Sequence, residues 1–180
     1  MKDALDLDLW KDELLFRKQN KLKSQLKNLL GEVGNKFPNK KLQLLHHASK
    51  GKKVSQGYEL DGLPYQVLDL IRDFDFETGL NIRILNWYGK GAYLLLLCGK
   101  EKFRRWAPED SHYKKSKTLS PWDYPAMFFE NQAVAAELNY SQWFKELPIA
   151  SESAELLRLW SEEIKKVILS LEAFLALPEN

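Results

Sequence analysis

The sequence predicts an α+β fold: a small, mainly antiparallel sheet between about residues 54 and 103, packed against a long N-terminal and a long C-terminal helix. Two apolar runs flank a glycine-rich turn in the middle of the chain, and each terminal region carries a long amphipathic pattern. The chain has 180 residues, which suits a single domain over residues 1–180.

The run from Leu80 to Lys100 is expected to form a β-hairpin around Gly89-Lys90-Gly91. Glycine supplies the positive φ that a tight turn requires, and the flanking β-branched, aromatic and leucine residues favour strands. Residues 82–88 should therefore pair with residues 92–98 in antiparallel fashion. The second run is apolar at every position, so both of its faces should be covered. The turn contains two or three residues, which leaves the register open.

Both terminal regions show helical periodicity. Between about residues 8 and 31, leucines recur three, four or seven positions apart, and lysines occupy many of the other positions. A second, short helix is expected over residues 40–49. Near the C-terminus, apolar residues recur at the same spacing and predict a helix that Ser151 or Ser153 caps and that ends near Leu177.

Shorter elements fill the remaining chain. Residues 64–71 favour a strand because Tyr, Val and Ile prefer one, although Pro64 can also begin a helix. The other expected elements are a strand at residues 54–60, an exposed loop at residues 108–120, a helix at about residues 120–138 and a short helix capped by Ser141.

Composition indicates a folded, soluble protein. Apolar residues make up 44% of the chain and charged residues 29%, which is ordinary for globular proteins. The start of the chain lacks the pattern of a secretory signal, and the longest apolar run is far shorter than the roughly 20 residues that span a bilayer. We therefore expect a cytoplasmic location and no membrane span. Cys98 is the only cysteine, which excludes an internal disulfide framework.

Charge is distributed unevenly along the chain. The net charge is +2, yet residues 17–53 contain eleven Lys or Arg and a single acidic residue. We favour the interpretation that these lysines solvate a helix and a loop. The alternative is a surface that binds a polyanion, to which the cation-rich and aromatic run at residues 103–106 could contribute. The candidate polyanion-binding residues are Lys18, Lys21, Lys23, Arg104 and Arg105.

Arg83 and Asn86 interrupt the apolar first strand of the hairpin. One interpretation pairs Arg83 with Asp69 or Asp73 and gives Asn86 a hydrogen bond, because buried polar groups usually find partners. The other places Arg83 on the floor of an aromatic-walled pocket, where it grips a carboxylate or phosphate. The candidate ligand-binding residues are Asp69, Arg83, Asn86, Trp87, Tyr88 and Tyr93.

Metal and catalytic motifs give no further candidates. The acidic run at residues 73–77 lacks the glycine and glutamate that an EF-hand requires at its sixth and twelfth positions. Adjacent His46 and His47 point about 100° apart on a helix, and one cysteine leaves too few ligands for a zinc site. No nucleotide-binding loop or hydrolase elbow occurs in the sequence. We expect no metal and no cofactor, and the sequence identifies no catalytic residue.

The phrase GLPYQVLDLIRDF (Gly62–Phe74) and the phrase IRILNWYGKG (Ile82–Gly91) together resemble a segment of uncharacterised bacterial proteins of the Bacteroidetes type. The resemblance is confined to residues 62–91. It implies a bacterial, cytosolic protein of unknown function and carries no catalytic residues with it.

These observations favour a soluble, non-enzymatic binding or interaction protein, because abundant aromatic residues occur without a catalytic motif. The partner expected for it is a protein or a small-molecule ligand. One alternative is a nucleic-acid-binding protein that uses the basic segment 17–53 with Arg104 and Arg105, which we do not favour. The other is an enzyme with an aromatic-lined pocket around Arg83.

Overall fold

A computed structural model describes residues 4–129 and 138–177 of the chain. Its helices are α1 (Leu7–Lys11), α2 (Glu13–Asn35), α3 (Asn39–Leu45), α4 (Tyr124–Phe129) and α5 (Ser153–Leu175). Its strands are β1 (Lys53–Leu60), β2 (Leu63–Arg72), β3 (Leu80–Trp87), β4 (Gly91–Gly99), β5 (Lys114–Lys115) and β6 (Tyr140–Glu146). The strands form one antiparallel sheet in the order β1-β2-β3-β4-β6-β5. The predicted α+β class, with helices toward both ends of the chain, is confirmed.

The predicted hairpin is also confirmed. Strands β3 and β4 pair antiparallel from Leu80 opposite Cys98 to Trp87 opposite Gly91. The loop between them has three residues, Tyr88 to Lys90, and glycines 89 and 91 adopt positive φ values of 76° and 119°. This loop length fixes the register that the sequence left open.

The register assigns each hairpin residue to one of two layers. Even-numbered residues such as Ile84 and Leu94 join the main core with α2, α3 and α5. Helices α2 and α5 contact each other on this face. Odd-numbered residues such as Leu85 and Leu95 form a second cluster with Tyr124 and Met127 of α4. Both faces of β4 are therefore covered, as its apolar sequence predicts.

The sheet extends beyond the predicted range of residues 54–103. Strand β6 pairs with β4 and with β5, so the short helix predicted after Ser141 is wrong. Tyr140, Trp143 and Phe144 favour a strand, and the free edge of β4 needs backbone hydrogen-bond partners. Strand β5 lies within the predicted loop at residues 108–120.

The N-terminal helix differs from its predicted bounds of residues 8–31. Asp12 divides it, because the Asp12 carboxylate accepts a hydrogen bond from the backbone N–H of Leu15 at 2.8 Å and caps α2. Helix α2 then continues through Gly31 and Gly34 to Asn35, beyond the predicted end at residue 31. A Cβ at Gly34 would lie 3.3 Å from Leu68 Cδ1, so this glycine permits close packing of the helix on the sheet.

The remaining elements mostly agree with expectation. Residues 64–71 form part of strand β2, so the strand rather than the helix is correct there. Pro64 is tolerated because it lies at the irregularity in the pairing of β1 with β2. Helix α3 ends at Leu45, four residues before the expected end. The N-cap of α5 is Glu152 rather than the predicted Ser151 or Ser153. Part of the helix predicted at residues 120–138 lies outside the described residues.

Lys145 connects three parts of the second half of the chain. From β6 its Nζ donates to Asp110 at 2.6 Å and to Glu163 of α5 at 2.6 Å. The hydrogen bond from Lys145 and those from His112 hold the pKa of Asp110 well below its usual range. Burial acts against ionisation of Glu163, yet the bonds from Lys145 and Lys166 keep its pKa below the ordinary value.

Because both carboxyl pKa values are lower in the folded state, the stability that they contribute is complete above about pH 6 and is lost progressively as pH falls through the unfolded values toward the folded ones. We expect Lys145→Met to lower the free energy of unfolding by about 2 kcal/mol at pH 7. The difference from wild type should shrink near about pH 3, as measured by urea unfolding at both pH values. Lys166→Met, at the exposed partner of Glu163, is the control and should change stability by less than about 1 kcal/mol. A Lys145→Met deficit that stays constant on acidification would contradict this assignment.

Cys98 is fully buried within the main core, and burial raises the pKa of its thiol. We expect a thiol reagent to modify native protein slowly and unfolded protein rapidly, because only the exposed thiolate reacts. The measurement is the rate of thiol labelling with and without denaturant. Rapid labelling of native protein would show that this part of the sheet opens readily.

Candidate functional site

A groove lies where the loop of the β3–β4 hairpin meets α2 and the segment before α5. Its volume is about 650 Å³, and small-molecule sites typically measure about 300–1,000 Å³. We call it the hairpin-tip groove. Its lining includes Leu22, Leu26, Leu29, Asn86, Tyr88, Ile149, Ala150, Ser151, Ser153, Leu156 and Trp160.

Side-chain to backbone hydrogen bonds hold the walls of the hairpin-tip groove. Gln66 is fully buried, and its amide donates to the backbone oxygen of Lys23 at 2.9 Å, which fixes α2 above the sheet. Tyr88 donates to the amide oxygen of Gln66 at 3.3 Å. On the opposite wall, the indole N–H of Trp160 donates to the backbone oxygen of Pro148 at 2.9 Å and holds the segment that precedes α5.

Asn86 is the polar residue of this groove whose hydrogen bonding is incomplete. It lies on the helix-covered face of β3, between Gln66 on β2 and Ala92 on β4. Its side chain is 8% exposed, and its amide nitrogen Nδ2 has no hydrogen-bond partner. The Nδ2 atom is itself shielded from solvent, so a ligand oxygen would reach it only if the Asn86 side chain turned toward the groove. An unpaired buried donor costs about 1–3 kcal/mol, and such a contact would recover part of that cost.

The N-terminus of α5 also borders the groove. Ser151 and Ser153 line it, and the N-cap residue Glu152 forms no side-chain capping hydrogen bond. The first N–H groups of a helix lack intrahelical acceptors, and the helix dipole is positive at this end. The free N–H groups of this wall suit an acceptor, although Glu152 and Glu155 place negative charge at the same helix end.

The structure divides the six candidate ligand-binding residues between the two faces of the sheet. Asn86 and Tyr88 lie at the hairpin-tip groove. Trp87 also borders the groove, but its ring packs in the second cluster with Tyr93, and its indole N–H donates to Leu60 O at 3.0 Å. Asp69 and Arg83 lie on that second face as well, so a single pocket does not contain all six residues.

Arg83 forms a buried ion pair with Asp69. Its Nε donates to Asp69 Oδ1 at 2.7 Å, its Nη2 to Asp69 Oδ2 at 3.1 Å and its Nη1 to the Tyr124 hydroxyl at 2.6 Å. Asn81 also donates to Asp69, at 2.8 Å, and the Trp122 ring covers the guanidinium. Burial opposes the charge on Arg83, but Tyr124 and Asp69 hold its pKa above the ordinary value. This geometry agrees with the interpretation in which Arg83 pairs with Asp69. The alternative, in which Arg83 binds the carboxylate or phosphate of a ligand, stays a prediction.

The candidate polyanion-binding residues lie in two separate places. Lys18, Lys21 and Lys23 are on the first half of α2. The backbone oxygen of Lys23 accepts a hydrogen bond from Gln66, which pairs with Asn86 near the start of β4. Arg104 and Arg105 are exposed in the turn after β4, where Phe103 N–H bonds to Gly99 O. The length of β4, about 30 Å, separates the two sets. A shared nucleic-acid surface stays a prediction.

Other site types find little support in the part of the chain that the structure describes. No three His, Cys, Asp or Glu side chains there are grouped to hold a metal ion. His46 Nε2 instead lies 2.7 Å from Asp73 Oδ2, and His46 is buried. Among the described helices, none combines the length and apolar character needed to cross a membrane.

Comparison with known proteins found no matching family, no significantly similar curated protein and no significantly similar solved structure. The site must therefore be interpreted from its own geometry. Sequence reasoning identified Asn86 and Tyr88 but missed the groove walls, because α2 and the segment before α5 are far from the hairpin in sequence. The apolar stripe of α2 was visible, but its position over the hairpin loop was not.

The Arg83–Asp69 ion pair predicts how much stability is lost when one buried charge is left without its partner. We expect Arg83→Met to lower the free energy of unfolding by about 3–5 kcal/mol, because it leaves the Asp69 carboxylate buried without its cation. Adding Asp69→Leu should restore much of that loss. Asn81 would remain satisfied through its bond to Ile71 O at 2.8 Å. Urea unfolding of both single variants and the double variant measures the coupling, and additive losses would contradict it.

Proposed function

We propose that the protein is a non-enzymatic binding protein that holds a small, mainly apolar ligand in the hairpin-tip groove. The ligand would carry an acceptor oxygen, in a carboxylate, amide or hydroxyl group, that receives a hydrogen bond from Asn86. The observation that carries this proposal is the unpaired Nδ2 of Asn86 at the edge of an apolar groove.

The walls of the groove support an apolar ligand. Leu26, Leu29, Leu156 and Trp160 supply leucine and indole surface, and the described volume accommodates a chain of several carbon atoms. A few polar groups in an apolar pocket are typical of sites that orient a ligand. Asn86 and the N-terminus of α5 are both suited to an acceptor, so they define the polar end of the ligand.

The composition of the groove favours binding over chemistry. Its described lining includes no Asp, Glu, His or Cys side chain. Ser151, Ser153 and Lys90 do line it, but a serine nucleophile needs an adjacent base, and no carboxylate or imidazole of the described residues lines the groove to serve as one. Tyr88 lines the groove, but burial raises the pKa of its phenol, which therefore keeps its proton at neutral pH. The groove can thus position a ligand but offers no general base of the usual kind.

The test compares two probes of equal chain length. Octanoate presents acceptor oxygens, whereas octylammonium presents only donors. We expect octanoate to change the fluorescence of Trp160 and to bind at least about tenfold more tightly than octylammonium, because a hydrogen bond to a charged group contributes about 1.5–3 kcal/mol. Fluorescence titration, repeated by calorimetry, measures both affinities.

Two variants make the test specific. Asn86→Leu should weaken octanoate binding about tenfold and leave octylammonium binding nearly unchanged, because it removes the donor but keeps the volume. Asn28→Leu makes the same change at an exposed position of α2 and should alter neither affinity. Equal binding of the two probes, or octanoate binding that is insensitive to Asn86→Leu, would refute the proposal.

A further inference from the structure

The N-terminal arm, defined here as residues 4–22, lies outside the packed fold. Every residue in it is exposed, and α1 buries none of its side chains. The arm nevertheless carries large apolar residues that are between 43% and 84% exposed. They are Leu5, Leu7, Leu9, Trp10, Leu14, Leu15, Phe16 and Leu22.

The apolar stripe of α2 changes from buried to exposed along one face. Leu15, Leu22 and Leu29 are seven residues apart and so lie on nearly the same side of the helix. Leu29 is 3% exposed against the sheet, whereas Leu22 and Leu15 are 47% and 44% exposed. The surface that packs on the sheet therefore continues, uncovered, where α2 extends past the edge of the fold.

More than one side of the arm requires a partner. Leu14, Leu15 and Phe16 are consecutive, and steps of about 100° distribute them over more than half of the helix circumference. A flat surface such as a membrane covers one face of a helix only. The acidic residues at the beginning of the arm would also be repelled by anionic lipids. A helical partner fits this distribution better.

The arm and the part of α2 that follows it, as far as residue 27, carry their acidic and basic residues in two separate blocks. Residues 6–13 contain four acidic residues and one lysine, whereas residues 17–27 contain five basic residues and no acidic residue. Two copies of this segment placed antiparallel would bring the acidic block of each chain against the basic block of the other. A two-fold axis near Arg17 would place Glu13 opposite Lys21 along a pair of α2 helices. Asp8 lies beyond the break at Asp12 and would be on the side of Lys27 if α1 continues in the same direction.

We propose that two copies of the chain associate through their N-terminal arms as an antiparallel, two-fold symmetric pair. Self-complementary patches of this kind form isologous dimers. Eight large side chains that are about half exposed present on the order of 800 Å² per chain, comparable to what each partner buries in an interface of standard size. The arm shares Leu22 with the lining of the hairpin-tip groove but does not include Asn86, so a dimer without ligand binding and ligand binding without a dimer remain distinguishable outcomes.

The test uses charge exchange between two full-length variants. One carries Lys21→Glu and Lys27→Glu, and the other carries Asp8→Lys and Glu13→Lys. These four residues are exposed, and the helix caps Asp6 and Asp12 remain intact. Sedimentation equilibrium at about 100 µM should show a wild-type dimer and two monomeric variants, since opposed like charges disfavour pairing. An equimolar mixture of the variants should form a heterodimer, because the opposed charges are again complementary.

Circular dichroism and urea unfolding verify that each variant is folded. Loss of the dimer in each variant alone, together with its return in the mixture, would support the antiparallel order. A parallel pair already opposes like charges in the wild type, so neither exchange alone would weaken it. A wild-type monomer at this concentration, variants that still dimerise alone, or a mixture that stays monomeric would each overturn the proposal. Binding of a monomeric wild type to anionic vesicles would assign the arm to a membrane instead. Octanoate titration of the same variants reports on the groove separately.

Discussion

The whole architecture depends on the burial of β4 from both sides. A strand that is apolar at every position from Ala92 to Cys98 exposes two hydrophobic faces, and each face must be covered for the sheet to be stable in water. Helices α2, α3 and α5 cover one face, and α4 with the β6 side chains covers the other. The central position of β4 follows from this requirement, because an edge strand could not be so fully enclosed.

Polar groups within these layers determine where the helices sit. Hydrophobic burial alone would permit α2 to slide along the sheet, whereas the bond from Gln66 to Lys23 O fixes its position. On the other face, Asp69 and Arg83 hold Tyr124 through a directional network. The hairpin-tip groove lies between α2, the hairpin loop and the segment before α5, and Asn86 Nδ2 has no hydrogen-bond partner there.

Local sequence patterns predicted those elements whose neighbours are close in the chain. The hairpin, β1, β2 and the C-terminal helix follow from periodicity and glycine placement, which act within a few residues. Strand β6 was predicted as a helix because its partner β4 is some forty residues away in sequence, so its edge pairing left no local trace. The end of α2 was predicted too early, at residue 31, for a similar reason, since the packing of Gly34 against Leu68 joins segments that are distant in sequence. Of the site, sequence indicated single residues such as Asn86 but could not assemble a groove from three distant segments.

The break at Asp12 and the full exposure of residues 4–22 have a consequence for how this protein can change over evolutionary time. Because no side chain of the arm is buried, substitutions there carry little cost to folding and are constrained mainly by association. Substitutions in β3 or β4, by contrast, disturb two packed layers at once. The charge pattern of the arm can therefore diverge between related chains, and with it the choice of partner, while the sheet and the groove stay the same.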